Sequence, residues 1–239
     1  MVPSSLSVPA VHQHLQKLAD PKIAQQCQRF FKTGPGDYGE GDQFLGIRVP
    51  VLRQQVTLYR DLANTEVISL LQSPFHEERL FALLLWVKKF QKASEAEQED
   101  LFRLYLSHTQ YINNWDLVDS SAYQIVGAFL ADKDRQPVYE LSQSQSLWER
   151  RIAMIATFQW IRHHDFEDAL AIAKLLQENS EDLMHKAVGW MLREIGKRDI
   201  ATEKTFLKAH YANMPRTMLR YAIEKFPEPE RQQYLQGLV

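Results

Sequence analysis

Five of the nine glycines, Gly34, Gly36, Gly39, Gly41 and Gly46, fall in one short stretch of this 239-residue chain. Glycine reaches backbone conformations with φ > 0 that loops need, so Thr33 to Gly46 is expected to form the one elaborate loop, and Asp37, Glu40 and Asp42 make it acidic. The rest has little freedom to turn. No stretch alternates apolar and polar residues over five or more positions between turn signals, the pattern of a half-buried strand. Apolar residues recur instead at helical spacing. Val11, Leu15 and Leu18, then Ile23, Cys27, Phe30 and Phe31, predict two N-terminal helices, the second opened by Asp20-Pro21 as cap and first turn. Further helices are expected from Pro50, after Ser73-Pro74, and from Ser94, where Glu97 completes a capping-box pattern. The pattern then predicts helices over 114–130, 146–162, 165–176, 180–197, 202–211 and 215–226. About a dozen helices with short linkers imply an all-α protein.

Trp115, Arg151 and Trp190 lie 36 and then 39 residues apart (151 − 115 and 190 − 151) in three such helices, each separated from the next by a shorter one. Two helices per period of about 40 residues is the rhythm of stacked HEAT-like repeats. The expectation is a single all-α domain over 1–239, a HEAT-like helical solenoid with a concave face, preceded by a flexible start at 1–6. An irregular helical bundle is the competing architecture.

A composition of 45% hydrophobic and 24% charged residues is that of a globular protein. The formal net charge of −2 opposes strong global attraction to a polyanion but leaves room for a local basic face. Cys27 is the only cysteine, so neither an intrachain disulfide nor a cysteine-based zinc site can form. The paired histidines at 12 and 14, and at 163 and 164, lack an H-E-x-x-H pattern. No metal or other cofactor is expected. The glycine loop is too proline-rich and acidic for a phosphate cradle, and no serine sits in a G-x-S-x-G elbow. Cys27 falls in an apolar stripe and reads as a buried, inert thiol. MVPSSLSV has no basic segment followed by an apolar one, and no apolar run approaches 18 residues. A cytoplasmic monomer without membrane contact is expected.

Trp115 and Asp119 are four residues apart and share one helical face. Each has an ordinary explanation, as a core aromatic and a solvated helix charge. Gly189, beside Trp190, is less easily explained: glycine in mid-helix costs up to about 1 kcal/mol relative to alanine. A close approach of another group to that face accounts for it.

The segments Tyr38-Gly39-Glu40-Gly41-Asp42-Gln43-Phe44-Leu45-Gly46-Ile47-Arg48-Val49-Pro50, Trp115-Asp116-Leu117-Val118-Asp119, Leu147-Trp148-Glu149-Arg150-Arg151 and Ala187-Val188-Gly189-Trp190-Met191-Leu192-Arg193-Glu194 resemble the AlkD-like DNA alkylation repair family, in order from about residue 10 to residue 226. The resemblance implies a HEAT-like fold. It also implies a DNA glycosylase that removes cationic N3- and N7-alkylated purines from double-stranded DNA without flipping the base. Asp119 matches the family's catalytic aspartate, and Trp115 and Trp190 match two tryptophans that hold the lesion's sugar and backbone. Arg151 matches an arginine that grips a phosphate, with Arg193 a lesser phosphate contact. Phe30 falls where a stacking tyrosine occurs. The acidic loop is longer than in the best-known branch. Arg150, Arg151, Lys186, Arg193, Lys197 and Arg198 offer a local basic strip. Parts of the wider family bind DNA structures without catalysis, and a protein-interaction scaffold is a third possibility.

Overall fold

The computed structural model describes residues 6–239; of the start at 1–6, residues 1–5 lie outside them. The described residues are all-α, with no strand and one isolated bridge between Gln43 and Phe75. The chain divides into two compact units, one through Ser121 and one from Ala122 to Val239.

The first unit contains α1 (Val8–Gln16), α2 (Pro21–Phe30), α3 (Val49–Val56), α4 (Asn64–Leu71), α5 (His76–Phe90), α6 (Glu95–Ser107) and α7 (Trp115–Asp119). Its centre is α5, which packs against α3, α4, α6 and α7 and buries Leu80 through Val87 without a break. Helix starts follow the local chemistry. Asp20 accepts hydrogen bonds from the Lys22 and Ile23 amides, 2.8 and 3.3 Å, with Pro21 at the first turn where a missing N–H costs nothing. The Ser94–Glu97 capping box is present, Glu97 accepting from the Ser94 amide at 2.8 Å. Helix α4 carries its apolar face on Val67, Leu70 and Leu71 and was not among the expected helices.

The second unit contains α8 (Gln136–Ser142), α9 (Leu147–Ala156), α10 (Phe158–Ile161), α11 (Glu167–Leu175), α12 (Asp182–Gly196), α13 (Ile200–His210), α14 (Arg216–Ala222) and α15 (Glu228–Gln236). Helix α8 packs on α9, and α12 packs on α9, α13 and α14, the neighbour-on-neighbour stacking of helical repeats.

Two long helices predicted from periodicity are interrupted. The expected helix over 114–130 is α7, a turn at Ser120–Ser121, and then a π-helical segment, Tyr123–Gly127. Ser121 Oγ donates to the Leu117 carbonyl at 2.6 Å, occupying an acceptor near the point where α7 stops. Gly127 presses against the backbone of α9, where an added Cβ would stand 2.2 Å from the Ala156 carbonyl oxygen, and its own carbonyl accepts from Trp160 Nε1 at 2.8 Å. The expected helix over 146–162 breaks at Thr157, whose hydroxyl donates to the Met154 carbonyl at 2.7 Å. Helix propensity survives at both places, but the Ser121 and Thr157 hydroxyls and the Trp160 indole take up main-chain carbonyls.

The close approach expected at Gly189 is made by α14. A Cβ there would lie 2.4 Å from the Met218 carbonyl oxygen and 2.5 Å from Tyr221 Cβ. Backbone cannot yield as a flexible side-chain end can. Gly189→Ala should therefore destabilise the protein by about 1–3 kcal/mol through overpacking, despite the better helix propensity of alanine. A lower urea midpoint at unchanged slope is the expected result; a raised midpoint would show that α12 and α14 can separate without cost.

Candidate functional site

The site in the first unit is assembled by a chain of buried ionic hydrogen bonds at the start of α5. The sequence Ser73-Pro74-Phe75 delivers His76, Glu77, Glu78 and Arg79 as a run of polar residues, all of them buried. Buried charges persist only when they are paired, and each of these has partners. Glu77 accepts from three consecutive amides of the glycine loop: Leu45 to Oε2 at 2.8 Å, and Gly46 and Ile47 to Oε1 at 2.7 and 3.1 Å. Asp42, also from the loop, accepts from Arg79 Nη2 at 2.6 Å, His76 Nδ1 at 3.1 Å and Asn114 Nδ2 at 3.2 Å. His76 Nε2 donates to Asp116 Oδ2 on α7 at 2.8 Å. The loop's Asp42 is thus turned inward and neutralised. Its negative charge meets an imidazole and a guanidinium, not solvent.

Burial alone would favour neutral His76, but Asp116, by charge and hydrogen bond, and Asp42 outweigh it and raise its pKa from 6.5 to about 9. Burial likewise pushes Asp42 up, while His76 and Arg79 hold its carboxyl below the usual range. At neutral pH the imidazolium bridges two carboxylates.

This lattice fixes α7. Asn114 caps it from a buried position, its side-chain oxygen accepting from the Trp115 amide at 2.8 Å. Trp115 and Asp119 stand at the two ends of the five-residue helix, both half-buried. Trp115 stacks on Phe31 at 5.4 Å and 20° and receives the edge of Phe30 at 5.9 Å. Phe31 stacks in turn on Phe44, 5.2 Å, and lies 4.8 Å from the His76 ring. Phe30 is 66% exposed. The first unit therefore brings Phe30, Trp115 and Asp119 onto neighbouring elements around α7. Cys27 is not the fully buried thiol expected from its stripe: α2 buries none of its residues completely, and Cys27 is half-buried.

The remaining candidates belong to the second unit. Trp190, half-buried on α12, donates from Nε1 to Glu194 at 3.2 Å and has its ring 6.0 Å from Phe158. Arg151 is only 4% exposed and donates to the Leu183 carbonyl at 2.6 Å. Burial leaves little of its guanidinium facing solvent. Arg193 pairs with Glu224. The expected basic strip is compensated in the same way: Arg150 pairs with Glu181 at 2.5 Å, Lys186 with Asp182 at 2.7 Å, and both Lys197 and Arg198 with Glu194, at 2.6 and 3.1 Å. Sequence reasoning placed the cations but not these carboxylates, which lie one helical turn or one helix away.

The network His76–Asp42–Asp116–Arg79 also escaped the sequence. Its only signal is a run of four consecutive polar residues that period 3.6 cannot place wholly outside. Among the described residues no group of three or more His, Cys, Asp or Glu side chains is arranged to hold a metal ion, and no helix is long and apolar enough to cross a membrane.

The family described as DNA alkylation repair enzyme matches residues 11–226. The chain belongs to that family. Its fold is similar to that of a predicted DNA alkylation repair enzyme from Enterococcus faecalis, with a TM-score of 0.66 at 16% identity over 88% of this chain and 97% of that one. It is also similar to AlkD2 from Streptococcus mutans, with a TM-score of 0.56 at 17% identity over 92% of this chain and 99% of that one. No curated protein matches. Membership supports a role in DNA repair, and the two structures support the all-α repeat fold.

The raised pKa of His76 carries a pH signature. Stability drawn from the imidazolium is complete below the unfolded value of 6.5 and is lost as pH rises through about 9. Asp42 acts in the opposite sense: its contribution is present above 3.8 and is lost as pH falls through its depressed folded value. The urea midpoint of the wild type should fall between pH 7 and pH 9.5, and His76→Asn should flatten that fall. Parallel profiles for the two proteins would remove the imidazolium from the account.

Proposed function

We propose that this DNA repair protein is a glycosylase that hydrolyses the N-glycosidic bond of cationic N3- or N7-alkylated purines in duplex DNA, with Asp119 as its working carboxylate. The observation that carries the reading is α7 itself. A short helix, clamped from below through Asp116 and capped by Asn114, offers a stacked tryptophan at one end and a carboxylate at the other.

The chemistry suits so small a set. An alkylated purine already bears positive charge, so when the C1′–N bond breaks its electron pair neutralises the leaving base and no general acid is needed. A fixed carboxylate stabilises the oxocarbenium-like sugar electrostatically. Water adds to C1′, and Asp119 orients it and accepts its proton. The indole face attracts cations by about 0.5–2 kcal/mol, depending on desolvation, which suits Trp115 to the sugar cation and the lesion. Phe30 offers an exposed ring for stacking. Trp190, Arg193 and Arg151 contribute contacts to the duplex backbone in this reading, the arginines by exchanging their present partners for phosphate.

Duplex DNA carrying 7-methylguanine should lose that base on incubation with the wild-type protein, and Asp119→Asn should slow release by about 10²–10³-fold, the usual effect of removing one transition-state electrostatic contact. Equal release by the two proteins, or none by either, refutes the catalytic role.

The pairing of the second unit's cations with carboxylates favours a second reading, a scaffold that meets proteins and not phosphates. A gel shift with salt titration separates the two. Engagement of phosphates gives a log–log slope of about −0.9 per phosphate neutralised, and a steep loss of binding between 50 and 200 mM salt is expected of the glycosylase, the concentrations being about those over which such binding is usually compared. Binding that ignores salt, or no binding, supports the scaffold. Salt-sensitive binding without base release identifies a non-catalytic DNA binder.

A further inference from the structure

The lattice around His76 orients α7 from its beginning, through Asn114 and Asp116. Asp119 stands at the other end, where a five-residue helix has little hydrogen bonding of its own to hold it. A separate set of contacts fastens that end. In a continuing helix the Leu117 carbonyl would accept from the Ser121 amide, four residues on. Here the Ser121 amide goes to the Val118 carbonyl at 3.1 Å, and the Ser121 hydroxyl takes the Leu117 carbonyl at 2.6 Å. Asp119 lies midway along the bridge so formed, between residues 117 and 121.

The Ser121 hydroxyl also meets Tyr105 Oη of α6, 2.9 Å away. A serine hydroxyl has one proton to donate, and Ser121 commits it to Leu117. The proton between the two hydroxyls is therefore the phenol's. The bonds run in one direction, from Tyr105 to Ser121 to the Leu117 carbonyl. All three residues are 0% exposed, away from competing water. Tyr105 is itself firmly held, because α6 is closed at its start by the Ser94–Glu97 box and packs on α5 with Leu101 and Phe102 buried.

The phenol keeps its proton. Burial pushes its pKa up, the hydrogen bond with Ser121 draws it back in part, and the negative charge of Asp119 adds to the rise. That this charge is felt at the phenol puts Asp119 within electrostatic reach of Tyr105.

We propose that Tyr105 is a positioning residue for the hydrolysis assigned to Asp119: through the Ser121 hydroxyl it fastens the last turn of α7 and so sets where the Asp119 carboxylate stands. The role rests on the glycosylase reading, to which it adds a residue too deeply buried to touch DNA or the reacting atoms. A carboxylate that stabilises a developing cation works by being fixed beforehand. Misplacing such a group by about 1 Å costs about 10²-fold in rate. Losing one bond of this relay loosens the end of α7 without freeing the helix, so a smaller loss of about tenfold is expected.

Tyr105→Phe removes the oxygen and keeps the ring; Ser121→Ala removes the relay's middle. Each should lower kcat for release of 7-methylguanine from duplex DNA by about tenfold, with KM unchanged. Because the two hydroxyls act in series, the double variant should lose no more than Ser121→Ala alone. In an Asp119→Asn background, Tyr105→Phe should leave the residual rate where it is. A mere loss of stability would lower the rate in that background too. Ser121→Ala decides the matter in the same way if Tyr105→Phe folds poorly. Wild-type kcat in either single variant, losses that multiply in the double variant, or an undiminished effect in the Asp119→Asn background would overturn the positioning role and leave the glycosylase standing. Absence of base release by the wild-type protein would instead overturn the glycosylase reading, and the positioning role with it.

Discussion

Everything proposed for the first unit depends on one imidazolium. His76 donates from both ring nitrogens, to Asp42 in the glycine loop and to Asp116 on α7, and so ties α5 to the two segments that carry the candidate chemistry. The arrangement is stable because each buried charge is matched, and it is specific because the matching is directional. Removing one member would strand the others in a medium that solvates them poorly, at a cost of about 3–5 kcal/mol for a broken buried pair. The helix α7 is too short to hold its own position by helical hydrogen bonding. Its orientation comes from the pair beneath it and the Asn114 cap.

The second unit solves a different problem. Its Arg150, Lys186, Arg193, Lys197 and Arg198, which the sequence presents within a basic strip, are each balanced by a carboxylate, and Arg151 donates to a main-chain carbonyl. Glu194 alone serves Lys197, Arg198 and the Trp190 indole. Such a surface holds its cations in defined geometry at little net charge. A polyanion approaching it must exchange partners one for one, so affinity would come from geometry more than from long-range attraction.

The all-α class, most helix starts and the irregular loop were legible because they follow local rules. Asp20-Pro21, Ser94 with Glu97, and clustered glycines act within a few residues of themselves. Trp115 and Asp119 were legible as a pair for the same reason, their spacing being a property of one helix. What the sequence concealed acts at a distance. Asp42 and Asn114 are 72 residues apart yet share a hydrogen bond, and nothing in either segment announces the other. The acidity of the loop is legible but the direction of its carboxylates is not, because an inward-facing aspartate and an outward-facing one are spelled alike. The breaks at Ser120–Ser121 and Thr157 were hidden because periodicity averages over turns and cannot register a carbonyl diverted to a hydroxyl or an indole.

The π-helical segment Tyr123–Gly127 has a consequence for how this chain can change length. A π turn is an α-helical turn that has taken in one extra residue. Deleting a single residue there would leave a regular α-helix, which by itself is no less favourable. Because the π turn takes up its extra residue locally, that deletion would leave Gly127 facing the Ala156 carbonyl and the Trp160 indole that it now meets. Length in this segment can therefore vary by one residue while the contact with α9, where only a hydrogen atom fits, stays as it is.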